Sequence, residues 1–179
     1  MKKKLLLTSL FTLMATAAFA QHDMKTTDKK PLSPPAKTQA TLNGKAITID
    51  YSAPSKRNRP IMGTLVPYGK VWRTGANSAT SLKTEGSIEI GTLVVPAGSY
   101  TLYTLPGEKD WTLIVNKQTG QWGTEYDEKQ DLGRVTMNVS KLDKPVETFV
   151  IDLKPTGNKA VLSLKWENTE ASVPVSVHR

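Results

Sequence analysis

Apolar residues in this chain recur at every second position, and no stretch sustains helical spacing for three turns. Ile47, Ile49 and Tyr51 alternate with Thr48 and Asp50. The same beat returns in Val135-Met137-Val139, Phe149-Ile151-Leu153, Ala160-Leu162-Leu164-Trp166 and Val173-Val175-Val177. A period of two puts alternate side chains on opposite faces of an extended strand, so each segment buries one face and wets the other. Helical bundles and βαβ folds are excluded on this ground. Residues 111–115 are almost continuously apolar and read as a central strand covered on both faces.

Turn chemistry separates these segments. Asn43-Gly44 is the preferred pair for a two-residue type I′ hairpin, because both positions need positive φ. Gly91-Thr92, the run 96–98, Pro106-Gly107 and the run 155–158 mark further reversals. The pattern predicts about ten short strands, each near six residues, in an all-β fold. The expected architecture is an antiparallel β-sandwich of jelly-roll-like kind, with a closed barrel as the alternative. Two long excursions interrupt it, at 52–75 and 116–133. Loops of that length in compact domains usually carry function or hide short elements. Residues 62–66 are expected to form a brief helical turn or strand that plugs the core.

Residues 1–20 have the three parts of a secretory leader: Lys2, Lys3 and Lys4, then an apolar run, then Ala18-Phe19-Ala20. The apolar run is shorter than the roughly 20 residues of a membrane span. A mature chain starting at Gln21, free in a periplasm-like space or secreted, is therefore expected, and not one embedded in a membrane. The chain has no Cys, which removes both a lipid-modified amino terminus and any disulfide, so the core must hold the fold alone. Residues 21–37, with Pro31, Pro34, Pro35 and several lysines, read as a flexible tether, and 38–179 as a single β domain. Loss of the leader lysines takes the formal charge from +8 to +5. Apart from Lys56-Arg57-Asn58-Arg59 the cations are scattered, so anionic surfaces rather than nucleic acid are the expected partners.

Several chemistries drop out. His22 and His178 stand at the chain ends, which disfavours a histidine base, a Ser-His-Asp triad or a multi-His metal site. No phosphate-binding or dinucleotide-binding glycine motif occurs, and no cofactor or metal is expected. Glu85, Glu125, Asp127, Glu147 and Glu167 are the carboxylates from which a glycan hydrolase would have to draw a pair. Asp127, Glu128 and Asp131 cluster without the spacing of a calcium loop and read as a solvated turn.

What remains is concentrated in LVPYGKVWRTGANSAT at 65–80 and the segment before it. Arg57, Arg59, Tyr68, Lys70, Trp72, Arg73 and Asn77 combine guanidinium forks suited to carboxylate or phosphate with flat rings suited to sugars. Trp122 and Tyr126 in the second excursion form an expected second wall. An architectural reading stands beside this one: Trp72 as a core anchor, Arg73 paired with Glu85, Glu147 or Glu167, and Asn77 bridging backbone groups. In a plain extended run Trp72 and Arg73 face opposite ways, so convergence needs bends, expected at Gly69 and Gly75.

The run YSAPSKRNRPIMGTLVPYGKVWRTGANSAT, together with VPAGSYTLYTLPG at 95–107, WTLIVNK at 111–117 and QWG at 121–123, resembles a family of small exported bacterial proteins known as domain of unknown function 2911. The resemblance implies an all-β fold and export, and no substrate. Ser78 stands where the family's GAN-x-AT element usually has an acidic residue. The expected function is an exported, non-catalytic binding module for an anionic or carbohydrate-like envelope ligand. The alternatives are a carboxylate-dependent glycan hydrolase and a structural or protein-interaction domain.

Overall fold

The computed structural model describes residues 31–178, so the leader at 1–20 and most of the expected tether lie outside the described residues. Local turn chemistry builds the first hairpin. Strand β1 (Pro35–Leu42) and strand β2 (Lys45–Ser52) pair in antiparallel register across Asn43 and Gly44, whose φ values are 48° and 73°. β1 begins at Pro35, three residues before the expected start of order at Thr38. Proline has no N–H to give a ladder, and an end position on an edge strand is one of the few in a sheet that tolerates it.

The chain continues through β3 (Thr80–Thr84), β4 (Ile88–Ile90), β5 (Leu93–Val95), β6 (Gly98–Pro106), β7 (Asp110–Asn116), β8 (Asp131–Thr156) and β9 (Lys159–Val177). All pair antiparallel in one sheet of order β1-β2-β3-β6-β7-β8-β9-β4-β5, which folds in a sandwich-like way and does not close into a barrel. Among the described residues no helix is long and apolar enough to cross a membrane.

The strand count corrects the expectation of about ten short strands. Residues 134–139 and 146–153 belong to one strand of 26 residues, and 160–166 and 171–177 to one of 19. The apolar alternation lapses through Lys141, Asp143, Lys144 and Pro145, which made the sequence read as a gap. The β8–β9 register shifts there, between Lys141 and Val146 and again between Val146 and Val150. Opposite the shift, Glu167 takes φ 53°. Extra residues in a ladder bend and twist the pair, so the hairpin turns a corner instead of ending.

That corner receives the first excursion. Phe149 N–H donates to the Pro54 carbonyl (2.8 Å) and Lys56 N–H to the Glu147 carbonyl (2.7 Å). The Glu167 carboxylate accepts from Ile61 N–H at 3.2 Å. Beyond this anchor Ile61 and Val66 are buried, with a parallel bridge between Met62 and Val66, whereas Gly63, Thr64 and Leu65 are exposed, so the ends of this turn enter the core and its tip does not. The core is mostly aliphatic, with Trp111, Phe149 and Trp166, each no more than 2% exposed, packed into it.

Candidate functional site

The floor of the site follows from where the excursion rejoins the sheet. Trp72 exchanges backbone hydrogen bonds with Thr104 on β6, at 2.7 and 2.9 Å. This sets its half-buried indole against the core aromatics. It stacks on Trp166 (centroids 5.9 Å, planes 16° apart) and meets Phe149 and Trp111 edge-on at 5.0 and 6.2 Å. Above it lies an open cleft of about 340 Å³, whose walls include Arg57, Arg59, Arg73, Asn77 and Trp166. Leu32 and Ser33 form one rim. The lining contains three arginines and no Asp or Glu.

Trp72 and Arg73 both line the cleft, and the backbone leaves the extended conformation immediately after them. Thr74 is β-branched, fully buried and held at φ 55°. Such a residue is a genuine outlier in the left-handed region and persists only where its surroundings over-determine it. Here Thr80 Oγ1 donates to the Thr74 carbonyl at 2.7 Å, and Thr74 Oγ1 donates to Thr104 Oγ1 at 3.2 Å. Gly75 follows with φ 155°, where a Cβ would stand 3.0 Å from the Ser52 carbonyl oxygen. The bend therefore falls at Thr74 as well as at the expected Gly75.

The second excursion closes the slot. Ser78 bridges to Trp122, and Gly123 N–H donates to the Asn77 carbonyl at 3.2 Å. A Cβ on Gly123 would collide with Arg73 Cδ and stand 2.6 Å from the Asn77 carbonyl oxygen. Gly123 is thus the bed on which the Arg73 stem lies.

None of the carboxylates considered as partners for Arg73 takes it. Glu85 accepts from Ala46 N–H (3.0 Å) and Glu147 from Arg57 N–H (2.8 Å). Glu167 holds Ile61 N–H and pairs with Lys56 at 3.5 Å. Among the described residues Arg73 has no ion-pair partner, and its Nε is buried with no hydrogen-bond partner. Arg57 (φ 50°) donates from Nη2 to the Leu32 carbonyl. Arg59 donates to the carbonyls of Lys56 (3.0 Å) and Ser55 (2.8 Å). Backbone carbonyls orient these two guanidiniums without cancelling their charge.

The other expected site residues lie apart from the cleft lining. Tyr68 is 40% exposed and packs over Gly63, and Lys70 is exposed. Trp122 is 53% exposed and is held by its backbone bridge to Ser78. Tyr126 is built into a separate network. Its hydroxyl donates to Asp131 Oδ2 and accepts from Arg134 Nη2, both at 2.8 Å, and its ring meets Tyr103 edge-on at 4.9 Å. Burial first, and then the proton it shares with Asp131, push its pKa up to about 12. Arg134 also pairs with Glu128 (2.8 Å) and Asp131 (2.9 Å), so the acidic cluster is largely tied up with one cation.

Sequence reasoning missed Trp166, Leu32 and Ser33 as lining residues, and Thr74 and Gly123 as the parts that aim Arg73. Trp166 stands in an alternating strand and reads as core, which it also is. The glycine of QWG was visible as a motif, but only contact between the two excursions gives it a role.

No curated protein and no solved structure matches the chain. The model of one family, described as a protein of unknown function (DUF2911), matches residues 33–175. The chain belongs to that family.

Proposed function

We propose that this protein is an exported, non-catalytic binding module whose cleft takes a ring-bearing anion, with a sugar acid as the favoured class. The observation that carries the reading is Arg73: a guanidinium without an ion-pair partner among the described residues, lining a cleft of three arginines and no acid, with its Nε, like Gln121 Oε1, buried beneath the surface without a hydrogen-bond partner. A buried polar group left unpaired costs about 1–3 kcal/mol, and a strained Thr74 adds to that cost. Such costs are tolerated where they pre-organise a site. An anion supplying acceptors to the solvent-reachable part of the fork would add charge-assisted hydrogen bonds, and the half-buried Trp72 ring offers apolar surface for the rest of the ligand. The exported location rests on the leader-like composition of residues 1–20.

A carboxylate-dependent hydrolase is less well supported, since Glu147 and Glu167 are engaged by backbone amides and neither lines the cleft. The test is thermal unfolding with glucuronate, galacturonate or neutral glucose at equal concentration. A ligand that binds only the folded state raises the melting temperature by mass action. The acids should raise it, glucose should not, and Arg73→Met should abolish the response. No shift with either acid, or an equal shift in Arg73→Met, would overturn the reading.

A further inference from the structure

The cleft does not stand alone. A second cavity, about 330 Å³, adjoins it and shares Leu32, Ser55 and Arg57 with it; Pro31, Pro34 and Thr148 complete its walls. Two other surface cavities each include a carboxylate, Glu89 in one and Glu108 in the other. The adjoining pair has none in either lining. Arg57 stands at the junction. Its backbone is held at φ 50° with its N–H on Glu147, and its side chain reaches the Leu32 carbonyl across the boundary. The second cavity carries two hydroxyls, Ser55 Oγ and Thr148 Oγ1, hydrogen-bonded to each other at 3.0 Å, and Ser55 also lines the first. Leu32, 71% exposed, and the flanking prolines add apolar faces.

We infer that the binding site is a two-subsite groove for an acidic oligosaccharide, with one sugar acid in the Arg73 cleft and the next residue of the chain in the Pro31–Thr148 cavity, and with Arg57 between them. This rests on the anion reading of the cleft and adds chain length and direction of extension to it. A single guanidinium shared by two acid-free cavities suits charges repeated along a polymer, whereas a lone small anion would leave the second cavity idle. Hydroxyl pairs and apolar faces suit the edges and faces of sugar rings rather than bare phosphate.

The experiment is equilibrium titration of the full chain with galacturonate, digalacturonate and trigalacturonate. The trimer should bind at least about tenfold more tightly than the monomer, because the second unit binds within an already tethered ligand. Thr148→Glu places a like charge in the second cavity and should cut the trimer-to-monomer ratio to less than about threefold, and Thr148→Gln, which loses the hydroxyl without adding charge, should cut it less. A wild-type ratio below about threefold, with the monomer still bound, would overturn the second subsite and leave the cleft reading intact. Retention of the full ratio in Thr148→Glu would also overturn it. Binding of none of the three saccharides would remove the cleft reading and this inference together. Inorganic polyphosphate of matched charge binding as tightly as the trimer would overturn the saccharide assignment.

Discussion

At the scale of single residues, Arg73 explains the most. Its stem lies on Gly123, its backbone leads into the left-handed Thr74, and no carboxylate among the described residues answers it. Arg73→Met keeps most of the packing volume and removes a buried donor that has no partner, so the unfolding free energy from urea titration should stay level or rise, by up to about 1 kcal/mol. Glucuronate affinity should fall at least about tenfold in the same variant. Opposite signs in stability and binding would mark the residue as functional, whereas an architectural arginine would lose both. Gly123→Ala makes the complementary case. Its methyl group has no room between Arg73 and the Asn77 carbonyl, so it should destabilise the fold by about 1–3 kcal/mol and weaken ligand binding as well. Urea titration and ligand titration on the same preparations would check both effects.

At the scale of elements, the corner of β8 and β9 sets where the excursion can lie. Glu167 at that corner takes the Ile61 amide, and Glu167→Ala would leave that N–H unanswered. Hydrogen exchange should then quicken at residues 56–66 and stay slow in β6 and β7, with a global cost of about 1–2 kcal/mol. The second excursion is held by the Tyr126–Asp131–Arg134 network. Tyr126 keeps its proton up to about pH 12 in the folded chain, against about 10 unfolded. Between those values the unfolded chain binds fewer protons, so stability is full below about pH 10 and falls as pH rises towards about 12. Burial shifts Tyr51 and Tyr103 the same way. Tyr126→Phe should flatten part of this alkaline decline in unfolding midpoints measured across that range. These elements also show how far the sequence was legible. The β1–β2 and β4–β5 hairpins follow from Asn43-Gly44 and Gly91-Thr92, because turn chemistry is local. The β8–β9 corner was not legible, since a bulge depends on the partner strand and its charged residues resemble a loop.

At the scale of the whole molecule, the open sheet leaves the first excursion lying over the aromatic residues of the core, and the second excursion locks against it. Arginine and aromatic density singled out 57–77 in the sequence, and Arg57, Arg59, Trp72, Arg73 and Asn77 line one cleft. Tyr68, Lys70, Trp122 and Tyr126 do not, because composition cannot show which way a loop side chain turns. Trp72 proves to be core and cleft floor at once, which a choice between scaffold and site had kept apart. With the charge of three guanidiniums gathered at one opening, acid binding should weaken as salt rises from about 0.05 to 0.5 M, and neutral sugars should show no such dependence. The most direct test of the whole account is a crystal structure of the chain with galacturonate. Its carboxylate should lie in the cleft over Trp72, about 2.7–2.9 Å from the Arg73 guanidinium. A well-ordered sugar acid bound elsewhere, or a cleft left empty at saturating ligand, would contradict it.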